Sequence, residues 1–155
     1  MEPVFKERKA FRVMGVVAHG RPEEIDFEAI WAEEFMPHHD RLQALSTDGA
    51  YYGICIETDE AGVIDYLAGM AVSEAAQPPD GLTAHQVRAA QDAVFECTVG
   101  TISEVWDQVF RVWLPASGYA YDASAECFEH YPPDTTDEDS PVFIHVPVQK
   151  AGPAQ

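Results

Sequence analysis

Glu129 is the side chain in this sequence whose setting points most directly to chemistry. It stands in Cys127-Phe128-Glu129-His130-Tyr131, one carboxylate among aromatic and sulfur-bearing neighbours. A carboxylate drawn into an apolar groove loses hydration, which raises its pKa unless a cation arrives to compensate. A lipophilic cation restores the balance, and each aromatic face it meets adds roughly 0.5–2 kcal/mol through cation–π attraction. Such a site selects for positive charge without demanding one shape. The competing reading is a glutamate on a solvent face, or one paired with a buried arginine.

Other residue clusters carry less. His38-His39-Asp40 is not expected to hold a metal, because adjacent histidines point in different directions and no further ligand cluster is near. Asp134, Asp137, Glu138 and Asp139 have the charge of a calcium loop but not its ligand spacing or glycine, so a solvated acidic loop is expected. Cys55, Cys97 and Cys127 cannot all pair with one another and form no CxxC, which suits reduced thiols packed as small apolar groups. No glycine-rich phosphate loop and no GxSxG elbow is present, and no cofactor is expected.

The elements that must position Glu129 are readable from periodicity. Thr101 with Glu104 forms a capping-box signature for a helix. Ile102, Val105, Trp106, Val109, Phe110 and Trp113 then share one helical face, and Pro115 and Gly118 are expected to stop the helix. The strand Cys127–Tyr131 puts Cys127, Glu129 and Tyr131 on one face and Phe128 and His130 on the other. In the final strand, Val142–Val148, the valine side is the better core face. Phe143 and His145 are left as groove candidates or as exposed residues. Tyr52 and Tyr66 are the first half's groove candidates, with Tyr51 the alternative if the register slips by one. Trp31, Trp106 and Trp113 lie on helix stripes that usually pack into a core. The candidate ligand-binding set is Glu129, Tyr52, Tyr66, Phe143, His145 and Trp106.

The first half reads similarly. Val4–Val17 is a strand region, His19–Pro22 a loop, and the first helix starts at Asp26 as N-cap or at Pro22 as N1. Phe27, Ile30, Trp31 and Phe35 form its apolar face, and Pro37 limits it. Ala50–Glu57 and Ile64–Val72 form a hairpin, and the Pro- and Gly-marked loop Ser73–Leu82 divides the chain. His85–Arg88 and Ala93–Val99 are two strands or one bent one. Trp31, Phe35 and Pro37 recur in order as Trp106, Phe110 and Pro115. The expected fold is α+β: tandem strand–helix–strand–strand modules forming a curved antiparallel sheet with two main helices and a ligand cleft at the pseudo-twofold junction. One domain over residues 1–150 is expected, with half-repeats at about 4–73 and 84–149 and a frayed tail at 151–155.

The 155 residues are 46% hydrophobic, enough for a core, and carry 9 basic against 27 acidic residues for a net charge of −18. That balance argues against direct nucleic-acid binding and against an anionic membrane surface. No apolar run approaches the ~18 residues needed to span a bilayer, and no signal-peptide core is present, so a cytoplasmic location is expected.

Ala50–Glu57 (AYYGICIE), Ala93–Gly100 (AVFECTVG), Trp106–Tyr119 (WDQVFRVWLPASGY), Phe128–Tyr131 (FEHY) and Ile144–Lys150 (IHVPVQK) together resemble the GyrI-like effector-binding domains. These small-molecule modules occur alone or at the C-terminus of AraC-type and MerR-type regulators. The resemblance covers nearly the whole chain. It implies binding of bulky aromatic, often cationic compounds in a groove lined by aromatics around a glutamate, with Glu129 and Tyr131 at the FE-x-Y positions. Members often carry an acidic residue in the last strand; here Phe143 aligns there. No helix–turn–helix is present, so a stand-alone binding module is expected, with a hydrophobic cation as its partner. Two alternatives remain. One is a hydrolase opening cyclopropane-bearing alkylators, with Glu129 as general acid or base and a tyrosine, Tyr131 or Tyr52, assisting. The other is an acidic protein-interaction module resembling a gyrase inhibitor.

Overall fold

The computed structural model describes residues 2–151. Nine strands occur among them: β1 (Val4–Arg8), β2 (Phe11–Gly20), β3 (Ser46–Glu57), β4 (Ile64–Val72), β5 (Thr83–Val87), β6 (Ala90–Thr98), β7 (Tyr119–Tyr121), β8 (Cys127–Tyr131) and β9 (Pro141–Lys150). All pair antiparallel in the order β1-β6-β9-β8-β3-β4-β2-β5, with β7 joined to the last residues of β9. Two helical segments, α1 (residues 27–45) and α2 (residues 102–116), cover one face. The chain runs β2–α1–β3–β4 and then β6–α2–β8–β9, and the two halves meet where β3 pairs β8. The flanking strands cross over: β1 extends the second half through β6, and β5 extends the first through β2.

This crossing explains why the expected strand Val4–Val17 is two strands. The chain must turn at Lys9-Ala10 to leave the β6 edge and reach the β4 edge. His19 and Gly20, expected in a loop, continue β2 because Asp65 and Ile64 pair with them.

Both helices outlast the prolines expected to end them. In α1 a π-type stretch, Ile30–Phe35, leads through the 3-10 turn Met36–His38 into His39–Leu45. In α2 a π-type stretch, Val109–Trp113, leads into Leu114–Ala116, with Pro115 in the first turn of that segment. The widened turns have already broken the regular ladder that a proline would interrupt, so the helix continues past it. Asp26 caps α1, its carboxylate accepting the Ala29 N–H at 3.1 Å. The cap before α2 differs from the expected Thr101–Glu104 box. A 3-10 turn, Val99–Thr101, comes first, and Thr98 and Thr101 cap it reciprocally. The Thr101 hydroxyl accepts the Thr98 N–H at 3.0 Å and makes no cap bond to the first turn of α2. Of the six residues on the apolar stripe, Ile102, Val105, Trp106, Val109 and Trp113 pack on β6 and β9, while Phe110 is 39% exposed.

The sheet is curled. β1 and β5 stand at its opposite ends, yet both reach Glu126 just before β8. Arg8 donates Nη1 to the Glu126 carbonyl at 2.9 Å. His85 bonds the Glu126 carboxylate, and the Arg88 backbone N–H donates to it at 3.1 Å. The face away from the helices is therefore concave. Val13, Ile54, Leu67 and Val87 are fully buried there without a helix over them. No helix among the described residues is long and apolar enough to cross a membrane. Ala151 donates its N–H to the Gly118 carbonyl at 3.0 Å; the rest of the expected frayed tail, 152–155, lies outside the described residues.

Candidate functional site

Glu129 lies at the junction of the halves, on the helix-covered face, and is 7% exposed. Its two oxygens receive three neutral donors. The Tyr131 hydroxyl donates to Oε1 at 2.7 Å and the Tyr66 hydroxyl at 3.0 Å. Trp106 donates Nε1–H to Oε2 at 2.9 Å. A second tryptophan joins one step removed: Trp31 Nε1–H reaches the Tyr66 hydroxyl at 3.0 Å. Trp31 comes from α1 and Trp106 from α2, so the repeated tryptophan of each half points into one cluster.

Strand register explains the assembly. Gly53 on β3 pairs directly with Glu129 on β8, and Tyr51 pairs with Tyr131. Tyr66 on β4 is opposite Cys55, which shares a face with Gly53. A side chain at Gly53 would occupy the place of the Tyr66 hydroxyl. Glycine within a strand commonly marks such a close approach.

No arginine, lysine or histidine bridges Glu129 among the described residues. Its burial raises its pKa above the ordinary carboxylate value, while Trp106, Tyr131 and Tyr66 pull in the other direction. Burial and the Glu129 charge raise the pKa of Tyr66 and Tyr131, so both hydroxyls remain donors. A carboxylate buried without a countercharge is costly even when hydrogen-bonded. The surround is aromatic: Phe27 meets Tyr66 edge-on at 4.7 Å between centroids, Trp31 meets Tyr131 at 5.5 Å, and Trp106 stacks on Phe110 at 5.8 Å.

The candidates named from sequence fall on two faces of the sheet. Glu129, Tyr66 and Trp106 come together, with Tyr131 beside them. Tyr52, Phe143 and His145 lie on the concave face and do not reach this cluster. There they line a separate cavity of about 440 Å³. The reason is parity: Tyr52 pairs His130 and sits one residue from Gly53, so it points away from Glu129. Tyr51 is the tyrosine of that pair on the helix side, against Trp31 and Phe35. Sequence reasoning missed Gly53 and kept Trp31 in the core; Gly53 inside a β-rich run was the available signal. His39 bonds the Tyr51 hydroxyl at 2.8 Å and His38 bonds Arg41, so the two histidines serve separate contacts.

Residues 1–149 match the family model described as a GyrI-like small molecule binding domain. No curated protein matches the sequence. Among solved structures, the chain is similar to SAV2435 bound to tetraphenylphosphonium, at 19% identity and a TM-score of 0.78 over 96% of this chain and 94% of that one. It is also similar to EcmrR in a complex with DNA, at 15% identity and a TM-score of 0.70, covering 97% of this chain and 58% of that one. An integron cassette protein of Vibrio cholerae matches at 18% identity and a TM-score of 0.59, over 96% of this chain and 97% of that one. At these identities the structural likenesses establish the shared fold.

Proposed function

This chain belongs to the GyrI-like small molecule binding domain family, and we propose that its ligand is a lipophilic organic cation received at Glu129. The observation that carries this reading is a buried carboxylate held by three neutral donors and, among the described residues, no countercharge. A cation supplies the missing charge, and the aromatic side chains around it supply apolar area and π-faces. Tyr66, Tyr131 and Trp106 orient the carboxylate. Trp106 is the outer donor, stacked on exposed Phe110. A bulky guest enters by displacing it and takes over its place at Oε2. The tetraphenylphosphonium in SAV2435 supports a cation of this class.

The test is calorimetric titration of tetraphenylphosphonium into the wild-type chain and into Glu129→Gln. The amide keeps the shape and removes the charge. Affinity should fall on the order of 10- to 100-fold, the equivalent of about 1.4–2.8 kcal/mol. Equal affinity in the two proteins would refute the assignment.

A further inference from the structure

The 440 Å³ cavity on the concave face is separated from Glu129 by the sheet itself, and its size falls within the range of small-molecule sites. Its walls are aromatic. Tyr52 stacks on His130 with centroids 5.1 Å apart and planes 14° apart, and Phe128 stacks on His145 at 4.4 Å and 12°. Phe11 and Phe143 add two more rings, and Thr47, Ala71 and Val94 fill in between them.

Three basic side chains face this cavity from three strands: Lys6 of β1, His130 of β8 and His145 of β9. His145 holds Asp92 through Nδ1 at 3.1 Å, which leaves Nε2 for a guest. The His130 ring makes no hydrogen bond among the described residues. One carboxylate, Asp48, lines the same cavity, and it already accepts the Tyr52 hydroxyl at 2.6 Å. Asp92 is fully buried and divided between His145 and Arg8. Glu96, across the ladder from Phe143, is exposed and outside the lining. In the wall, the Arg8 guanidinium lies 5.1 Å from the Phe128 ring centroid, and its side chain is 6% exposed. Its Nε and Nη2 make no hydrogen bond among the described residues, and Asp92 Oδ1 has only the 3.4 Å ion-pair contact to Arg8 Nη1. Basic groups and free donors thus exceed free acceptors here, in a chain of net charge −18.

We propose that this cavity is a second binding site, for a planar aromatic acid whose carboxylate is received by Lys6, His130 and His145. The stacked rings accept a flat body, and the basic groups accept the anion through charge-assisted hydrogen bonds. A cation would meet Lys6, and a neutral arene would leave the donors unused. The site is independent of the one at Glu129.

Naphthoate titrated into the full chain tests this. Saturable binding is expected, weakened about tenfold in Lys6→Met and in His145→Gln and unchanged in Glu129→Gln. Binding should tighten from about pH 8 to about pH 6. Burial and His145 lower the His130 pKa, with Lys6 adding to that and Asp48 opposing it. Carboxylate entry favours its protonation. Lys6 is exposed, so Lys6→Met decides the matter even if His145→Gln fails to fold. Absence of saturable binding at millimolar naphthoate, wild-type affinity in Lys6→Met, or loss of binding in Glu129→Gln would each overturn the proposal.

Discussion

Gly53 stands directly across the β3–β8 ladder from Glu129, and a Cβ added there would come within 2.8 Å of Oε1 and collide with the Tyr66 hydroxyl. The junction of the two halves is closed by a residue with no side chain because the carboxylate and the phenol fill its space. Gly53→Ala should therefore destabilise the protein by about 1–3 kcal/mol, the usual cost of overpacking a core. It should also weaken tetraphenylphosphonium binding by moving Tyr66. Urea denaturation and calorimetry measure both; wild-type values for both would show that the close approach constrains nothing.

Trp106 and Trp31 make a second comparison, because only one touches the carboxylate. Trp106→Phe keeps the ring packing and removes the donor to Oε2. The cost should be about 1–3 kcal/mol, as for a buried charged acceptor losing its partner. Trp31→Phe removes a donor to a phenol oxygen and should cost about 0.5–1.5 kcal/mol. In the Glu129→Gln background the Trp106→Phe penalty should shrink while that of Trp31→Phe changes little. A double-mutant cycle that finds Trp106 and Glu129 additive would contradict the described bond.

Much of this architecture was readable in the sequence, and the parts that were not have identifiable causes. Ile64–Val72 and Cys127–Tyr131 match their strands at both ends, since alternation and flanking turn residues are local signals. The repeat of Trp31, Phe35 and Pro37 as Trp106, Phe110 and Pro115 was visible. The helix boundaries were not, because proline tolerance depends on the π-type turns before Pro37 and Pro115. Alternation within β8 correctly separated Glu129 from His130. Alternation alone could not relate Tyr52 to Tyr66, because the faces of two strands are linked only through their register. Nor could it show that β1 and β5 converge on Glu126, which follows from the curl of the sheet.

That convergence has an acid-sensitive consequence. Burial by itself would raise the Glu126 pKa, but the bonds from His85 and from the Arg88 backbone outweigh it and hold it down at about 2, against an ordinary 4.5. A group with a lowered folded-state pKa contributes stability above its unfolded-state value and loses it as the pH falls through the folded one. The clasp should thus contribute on the order of 3 kcal/mol at neutral pH, lost between about pH 4.5 and pH 2. Glu126→Gln should be less stable at neutral pH and show a shallower acid decline over that window. Parallel acid-denaturation curves for the two proteins would exclude the clasp as their source.

Glu129 responds in the opposite sense. Burial raises its pKa above 4.5 despite the three donors, so the folded chain binds its proton more tightly than the unfolded chain. The resulting stability is complete below the unfolded-state pKa and is lost as the pH rises through the folded one. The stability difference between wild type and Glu129→Gln should therefore move against the wild type as the pH rises from about 4.5. A permanent cation such as tetraphenylphosphonium carries no proton and competes with the one on Glu129. Its affinity should rise with pH across the same window, the reverse of the trend expected for naphthoate at the concave face. Its binding heat should depend on the buffer's ionisation enthalpy, reporting release of up to one proton. Glu129→Gln should abolish that dependence; a variant that still releases the proton would place the titrating group elsewhere.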